Sequence, residues 1–230
     1  MQSTYIMKPI AHIHSDFPDK FGIPRQSGLI DSLKAEIIFE PEYRNPDAFR
    51  GLEAYSHIWL IWGFSESIRS DWSPTVRPPR LGGNTRMGVF ATRSPFRPNP
   101  IGLSSVRLET VETHSEHGPI LHISGADLMN GTPIFDIKPY LPYVDSHPEA
   151  SEGFGGPLKN YTLDIECPDK LLEQIPKDKR EALFALLSQD PRPSYQNDTE
   201  RIYGLRFAGM EIKFRVDGTT LHVISVEQRA

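Results

Sequence analysis

The stretch HIWLIWGF, His57–Phe64, is short, rich in β-branched and aromatic residues, and apolar at almost every position. This composition predicts a strand that is covered on both faces or buried at a subunit contact. One short helix is expected within residues 45–56. Four more segments have strand-like composition: Ala35–Phe39, Met87–Thr92, Ser104–Val111 and Ile120–Ser124. Because strands outnumber helices and do not alternate with them, we expect an antiparallel barrel or sandwich.

The last third of the chain has a different pattern. Residues 144–156 are rich in Ser, His, Pro, Glu and Gly, which indicates a linker or a long surface loop. Beyond it, Asp178–Gln189 has the apolar spacing of an amphipathic helix, and Asp217-Gly218 predicts a hairpin turn. We therefore expect a β domain over residues 1–156 and a small α+β domain over residues 157–230.

Composition excludes several classes of protein. Hydrophobic residues make up 38% and charged residues 24% of the 230 positions, as in ordinary globular domains. No apolar run reaches the ~18 residues of a membrane span, and the first residues lack a signal-peptide pattern. Cys167 is the single cysteine, which excludes a disulfide framework. A cytoplasmic protein without membrane contact is expected. His12 and His14 lack further spaced ligands, so no metal site is expected.

Positive charge is concentrated in one segment, although the net charge is −5. Between Arg69 and Arg107 the chain has seven arginines, no lysine and one acid, Asp71. Arginine forms bidentate hydrogen bonds with phosphate and carboxylate groups, so this segment favours an anion-binding surface. A solvated face with an accidental bias is the alternative.

Two proline-rich segments, Val76–Ser104 and Asp127–Ser146, carry the remaining functional signal. Within the first, ATRSPFRPNPIGLS (Ala91–Ser104) holds three prolines and two arginines, which excludes a helix and an interior strand. Stiff loops of this kind suit a preorganised small-molecule pocket. They could equally be rigid barrel corners without a ligand, and the residues alone leave both readings open.

The segment GVFATRSPFRPNPIGLS (Gly88–Ser104) resembles the signature of the TsaA/YaeB-like family, the TrmO tRNA methyltransferases. The resemblance covers almost the whole chain, through Lys20–Leu29, Arg50–Phe64, Arg77–Gly88, residues 130–146 and Asp190–Tyr195. It implies an S-adenosylmethionine-dependent enzyme with a β-barrel fold that binds its cofactor in a homodimer. The implied substrate is N6-threonylcarbamoyladenosine at position 37 of threonine tRNA. The competing classes are a non-catalytic RNA-binding module that uses the arginine face and an enzyme of a free anionic metabolite.

The resemblance also implies a set of cofactor-binding residues. By motif position they are Pro24, Arg25, Gln26, Ser65, Glu66, Arg93, Leu103, Asn130, Gly131, Thr132 and Pro133. Two of them depart from the family pattern, since Ser65 stands where a histidine is usual and Asn130 where an aspartate is common. These departures argue against the family's side-chain contacts at the two positions but leave backbone contacts possible. The alternative is that Pro24 and Pro133 shape turns without contacting the cofactor, and that Leu103 belongs to the core.

The implied reaction sets the requirements for catalytic groups. Nitrogen N6 of a carbamoylated adenosine is urea-like and therefore a poor nucleophile, unless its proton leaves early or the carbamoyl oxygen is polarised. We expect an arginine of the loop that carries Arg93 and Arg97 to bind the threonyl carboxylate. A nearby acid or tyrosine would then assist proton loss, and Asp136, Tyr140 and Tyr143 are candidates by their location.

The tail carries further cations among acids. They are Lys177, Lys179, Arg180, Arg192, Arg201 and Arg206. One interpretation is that they contact phosphates of the anticodon stem, because folded RNA is recognised largely by shape and backbone. A solvated face of mixed charge is equally open.

Overall fold

The computed structural model describes residues 5–67, 71–78, 85–151, 153–154, 161–193, 196 and 198–229. The strands of the first two-thirds are β1 (Ala11–Ser15), β2 (Lys34–Phe39), β3 (His57–Gly63), β4 (Thr75–Val76), β5 (Met87–Gly88), β6 (Ile101–Ser115), β7 (Gly118–Ser124) and β8 (Pro133–Pro139). A closed antiparallel barrel has the order β1-β2-β7-β6-β3-β8, whereas β4 and β5 form a separate ribbon. The predicted mainly-β fold with an antiparallel barrel is confirmed.

Strand β3 shows why its sequence is nearly continuous in apolar character. Ile58, Leu60 and Trp62 alternate into the barrel core and are buried. On the outer face, the Trp59 indole N–H donates to Asp145 Oδ2 at 3.0 Å, in the short helix α1 (Pro142–Asp145). The Trp59 ring also packs on Tyr140. The outer face is therefore covered in part by the segment that follows β8.

Two local predictions were wrong. The strand expected over 87–92 ends at Gly88, because residues Val89–Ala91 form a 3-10 turn closed by the Thr92 N–H on the Val89 carbonyl at 3.1 Å. The single helix expected within 45–56 is instead two 3-10 turns, Pro46–Phe49 and Leu52–Ala54. Gly51 separates these turns at a φ of 88°, which a continuous right-handed helix cannot contain.

The C-terminal region combines a sheet with helices, as expected. Its elements are β9 (Asp164–Glu166), α2 (Asp169–Leu172), α3 (Lys177–Ser188), β10 (Tyr203–Phe207), β11 (Met210–Asp217) and β12 (Thr220–Gln228). The sheet order is β10-β11-β12-β9, and α3 buries Ala182, Leu183, Leu186 and Leu187. The domain boundary predicted between residues 156 and 157 lies outside the described residues and stays a prediction. Within the part of the chain that is described, no helix is long and apolar enough to cross a membrane.

The C-terminal core also includes residues from the β1–β2 connection. Phe17, Ile30 and Leu33 pack in one cluster with the C-terminal strands and α3. Gly22 in this connection has a φ of 86°, and a Cβ there would lie 2.1 Å from Leu205 Cδ1. The close approach requires glycine and holds the connection against β10. The C-terminal region therefore positions residues 24–26, which lie in the same connection.

Candidate functional site

A cavity of about 530 Å³ opens where four connections meet at one end of the barrel. They are the β1–β2 connection, the segment after β3, the proline-rich loop before β6 and the β7–β8 connection. The volume lies within the range of small-molecule sites. Nine of the residues predicted from the sequence line it: Pro24, Arg25, Gln26, Ser65, Glu66, Arg93, Arg97, Leu103 and Thr132.

Hydrogen bonds hold the cations at the rim of this cavity. Arg93 Nη1 donates to Gln26 Oε1, which joins the proline-rich loop to the β1–β2 connection. Arg97 Nη2 donates to the Thr92 carbonyl at 3.2 Å. Lys20 Nζ donates to the backbone carbonyl of Glu66. The rim therefore has several fixed positive groups, as a site for a carboxylate or a phosphate requires.

The turn after β7 is held in place by hydrogen bonds to β1. Asn130 Oδ1 accepts a hydrogen bond from the Ser15 N–H at 3.2 Å, and the Gly131 N–H donates to the Ile13 carbonyl at 2.8 Å. Only Thr132 of the predicted group 130–133 lines the cavity; Pro133 pairs with His12 at the start of β8. An amide oxygen accepts the Ser15 hydrogen bond as a carboxylate would, so the asparagine does not disturb this contact.

Three candidates from the sequence, Asp136, Tyr140 and Tyr143, do not line the cavity. Asp136 pairs with Ile61 in the barrel register, and its carboxylate lies 2.8 Å from Lys138 Nζ. The Tyr140 ring packs on Trp59, with 5.4 Å between the ring centroids. The cause is strand geometry, because β8 carries its side chains away from the turn at 130–133 and alternates them between faces.

An acid that sequence reasoning missed lies inside the cavity. The Trp62 indole N–H donates to Ser104 Oγ at 3.0 Å, and the Ser104 hydroxyl donates to Asp127 Oδ1 at 2.6 Å. Indole nitrogen is only a donor, so the hydroxyl accepts from it and points its own proton at the carboxylate. The order of donors thus fixes Asp127 as an acceptor. The only sequence signal was its position at the start of the proline-rich segment Asp127–Ser146.

Burial determines the proton affinity of this acid. Burial raises the pKa of Asp127 above its ordinary value, against the opposing effects of the Ser104 hydrogen bond and the Arg93 charge. A carboxylate in such surroundings accepts a proton more readily than an exposed aspartate. The cavity therefore places a base beside arginines.

The histidines of β1 and the tail cations have other partners. His12 and His14 share the outer face of β1, and His12 Nδ1 lies 2.8 Å from Glu40 Oε1. Within the described ranges no group of His, Cys, Asp and Glu is arranged to hold a metal ion, and the expectation of no metal stays a prediction. The buried Arg192 makes two hydrogen bonds to Asp190, at 2.8 and 2.9 Å, and its contact with RNA phosphate stays a prediction.

Two further tail cations join the C-terminal region to the β1–β2 connection. Lys179 Nζ lies 2.6 Å from Asp16 Oδ2, and Arg206 Nε lies 2.6 Å from Asp19 Oδ2. Deleting the tail would therefore also release the connection that carries residues 24–26. Loss of RNA affinity in such a deletion would not identify phosphate contacts.

Replacement of Gly102 by alanine tests the packing around the cavity. A Cβ at this position would lie 2.2 Å from the Trp62 indole, which must move and lose its hydrogen bond to Ser104. We expect G102A to lower the free energy of unfolding by about 1–3 kcal/mol and to weaken binding in the cavity about tenfold. Thermal unfolding and calorimetric titration with S-adenosylmethionine measure both effects.

The matched control for this prediction is Gly88→Ala. A Cβ at Gly88 has no neighbour within 4 Å, and the φ of −58° suits alanine. Equal affinities in G102A and G88A would contradict the assignment of Trp62 to the wall of the binding site.

Comparison with known proteins places the chain in a family. Residues 12–146 match the tRNA-methyltransferase O N-terminal domain, and residues 163–229 match the TrmO C-terminal domain. The tRNA (adenine(37)-N6)-methyltransferase of Escherichia coli (strain K12) is 40% identical over 235 residues, covering 99% of this chain and 100% of that protein. The enzyme of the same name from Eikenella corrodens is 46% identical over 165 residues, covering 71% and 92%.

A solved structure agrees with the sequence comparison. The crystal structure of TrmO from Pseudomonas aeruginosa superposes with a TM-score of 0.79 at 32% sequence identity, covering 99% of both chains. Both family domains, in the same order, account for nearly all of the sequence and for both halves of the fold. The chain therefore belongs to the TrmO family of tRNA methyltransferases.

Proposed function

We propose that this chain transfers a methyl group from S-adenosylmethionine to N6 of the adenosine at position 37 of tRNA, next to the anticodon. In the finer form of the proposal, the substrate is N6-threonylcarbamoyladenosine in threonine tRNA. Family membership supports the reaction class. The single structural observation that carries the proposal is the Trp62–Ser104–Asp127 hydrogen-bond chain, which ends on a half-buried carboxylate inside a cavity rimmed by arginines.

The residues of the cavity fit S-adenosylmethionine. Trp62, Phe64 and Leu128 provide apolar surface for an adenine ring. Arg93 is placed for a carboxylate, and the carboxylate of Glu66 complements a cationic ligand. We assign the holding of the cofactor to these groups together with the predicted residues Pro24, Arg25, Gln26, Ser65, Leu103 and Thr132. Asn130, Gly131 and Pro133 act by fixing the position of Thr132.

When bound, S-adenosylmethionine would supply a methyl group on a positively charged sulfur; the S–C bond would break as the N–C bond forms, and a neutral thioether would remain. Nitrogen N6 must lose its proton, because its lone pair is delocalised into the carbamoyl group. Asp127 accepts this proton, held in orientation by Ser104. Positioning of the two reactants supplies much of the remaining acceleration.

Arg97 is the residue to which we assign recognition of the threonyl carboxylate. It lines the cavity, is half-buried, and its guanidinium is tethered to the Thr92 carbonyl. A tethered guanidinium loses little conformational freedom when it binds a carboxylate bidentately. Arg93 already contacts Gln26 and is the better candidate for the cofactor.

The proposal extends to assembly and location. We place the enzyme in the cytoplasm, where it meets tRNA, and expect a homodimer. Leu103 lines the cavity but remains 53% exposed, so a second chain has apolar surface to cover at this rim. Sedimentation at micromolar concentration measures the assembly, and a single species with the mass of one chain would contradict it.

Nucleoside analysis tests the proposed reaction. The purified chain is incubated with S-adenosylmethionine and threonine tRNA that carries either adenosine or N6-threonylcarbamoyladenosine at position 37. Digestion and mass spectrometry should show the modified nucleoside one methyl group heavier. Heat of binding with S-adenosylmethionine separates the enzyme from an RNA-binding module without cofactor. Binding of both ligands without methyl transfer to position 37 would contradict the proposal.

A further inference from the structure

A second, wider groove of about 1260 Å³ lies directly beside the cavity. Arg25, Gln26, Arg93 and Pro95 line both spaces and form the wall between them. Among the described residues that line the groove, every charged side chain is an arginine, and Arg77 and Arg86 line the groove but not the cavity. The groove therefore has a positive potential that continues to the mouth of the cavity.

Two exposed aromatic rings stack on each other at this groove. Phe90 lines the groove with 74% of its surface exposed, and Trp72, 49% exposed, stacks on it with 6.1 Å between ring centroids and 24° between planes. Single exposed aromatic residues are common on protein surfaces. A stacked exposed pair beside arginines is instead a feature that binds ligands with planar rings. We call Trp72 and Phe90 the aromatic platform.

The backbone holds this platform in place. The Val89 N–H donates to the Pro74 carbonyl at 3.0 Å, and the Ser73 N–H donates to the Phe96 carbonyl at 3.3 Å. One chain neighbour of each ring is thus tied: Ser73, next to Trp72, to the proline-rich loop, and Val89, next to Phe90, to the residue before β4. The rings need little ordering when a ligand binds, which favours affinity.

We propose that the aromatic platform, with Arg77 and Arg86, binds the unpaired anticodon-loop nucleotides next to the target adenosine. Proteins recognise single-stranded RNA by stacking bases on aromatic side chains and by pairing its phosphates with arginine. A base that enters the cavity must leave the stack of its neighbours, which then need a new partner. The wall shared by the cavity and the groove separates the platform from the cavity. Nucleotides next to a base in the cavity would therefore reach the platform. This inference rests on the proposed function.

Kinetics of platform variants test the inference. W72A/F90A should raise KM for tRNA by about 10–100-fold, because stacking contributes about 1–3 kcal/mol per base. The affinity for S-adenosylmethionine and kcat at saturating tRNA should not change. W72F/F90Y keeps both rings and should retain the KM of the unaltered chain. The matched control is Tyr55→Ala, which removes an exposed aromatic ring outside the groove.

Photocrosslinking locates the contact. Anticodon stem-loops with 5-iodouridine on the 5′ or the 3′ side of the target adenosine should crosslink to Trp72 or Phe90, as mass spectrometry of the peptides would show. The inference alone is overturned if the unaltered chain methylates tRNA while W72A/F90A keeps its KM. It is also overturned if W72A/F90A changes the sedimentation of the protein, because the platform is then a contact between two copies of the chain. Absence of transfer by the unaltered chain would instead overturn the proposed function as well.

Discussion

Asp127→Asn is expected to lower kcat by about 10²–10⁴-fold while leaving the affinity for S-adenosylmethionine within the same order of magnitude, since a general base contributes about this factor. The amide still accepts the Ser104 hydrogen bond but cannot take the N6 proton. Single-turnover transfer of labelled methyl groups to tRNA measures the effect. Asp136→Asn is the discriminating variant, because it removes the acid first chosen from the sequence, which pairs with Lys138 outside the cavity. A larger loss in D136N than in D127N would contradict the assignment.

The raised pKa of Asp127 gives this account a pH signature. The base form disappears as the pH falls through the folded pKa, so the acidic limb of kcat/KM lies at higher pH than for an ordinary aspartate. Ser104→Ala removes a hydrogen bond that lowers the pKa and should move this limb to still higher pH.

The same pKa shift affects stability. Because burial favours the protonated carboxyl, Asp127 stabilises the folded chain at low pH, and this contribution is lost as the pH rises through the folded pKa. D127N should therefore raise the melting temperature at neutral pH.

Arg97→Ala is expected to lower kcat/KM on tRNA carrying N6-threonylcarbamoyladenosine by about 10–150-fold, the effect of losing a charged hydrogen-bonded pair of about 1.5–3 kcal/mol. The unaltered chain should show a preference of similar size over plain adenosine, and R97A should abolish that preference. Arg97→Lys keeps the charge but loses the bidentate geometry, and we expect an intermediate value.

The matched control removes an arginine elsewhere. Arg107 lies on β6 and pairs with Glu109 at 3.7 Å, outside the cavity. R107A should leave the ratio of the two kcat/KM values unchanged. If R97A retains the full preference for the modified nucleoside, recognition of its carboxylate by Arg97 is excluded.

The fold could be predicted from the sequence because the composition of a strand is a local property. The β2, β3 and β7 segments were identified by β-branched and aromatic residues, and α3 by its apolar spacing. Strand β8 was missed because Pro133 and Pro139 at its ends hide the pattern of the residues between them. The docking of the C-terminal region onto Phe17 and Ile30 was also missed, since it depends on contacts between distant segments.

Motif position predicted the site residues that lie in loops. It could not predict which residues near a strand have side chains that reach the cavity. Gln26, Arg93 and Arg97 lie in stiff loops, and the structure brings them together at one cavity. Asp136 lies in the same sequence segment as Asp127, but strand β8 separates the two in space. Neither residue has a sequence feature that distinguishes the carboxylate in the cavity from the one paired with Lys138. The hydrogen bond from Ser104, on the strand next to β7, makes the difference.

We propose that S-adenosylmethionine binds against Trp62, in the cavity that contains Asp127. The chain has three tryptophans, so W59F/W72F leaves Trp62 as the only indole. Titration of this variant with S-adenosylmethionine should change the Trp62 emission until one molecule is bound per chain, and adding G102A should move the curve to higher concentrations. Calorimetric binding of S-adenosylmethionine with no change in Trp62 emission would contradict the claim.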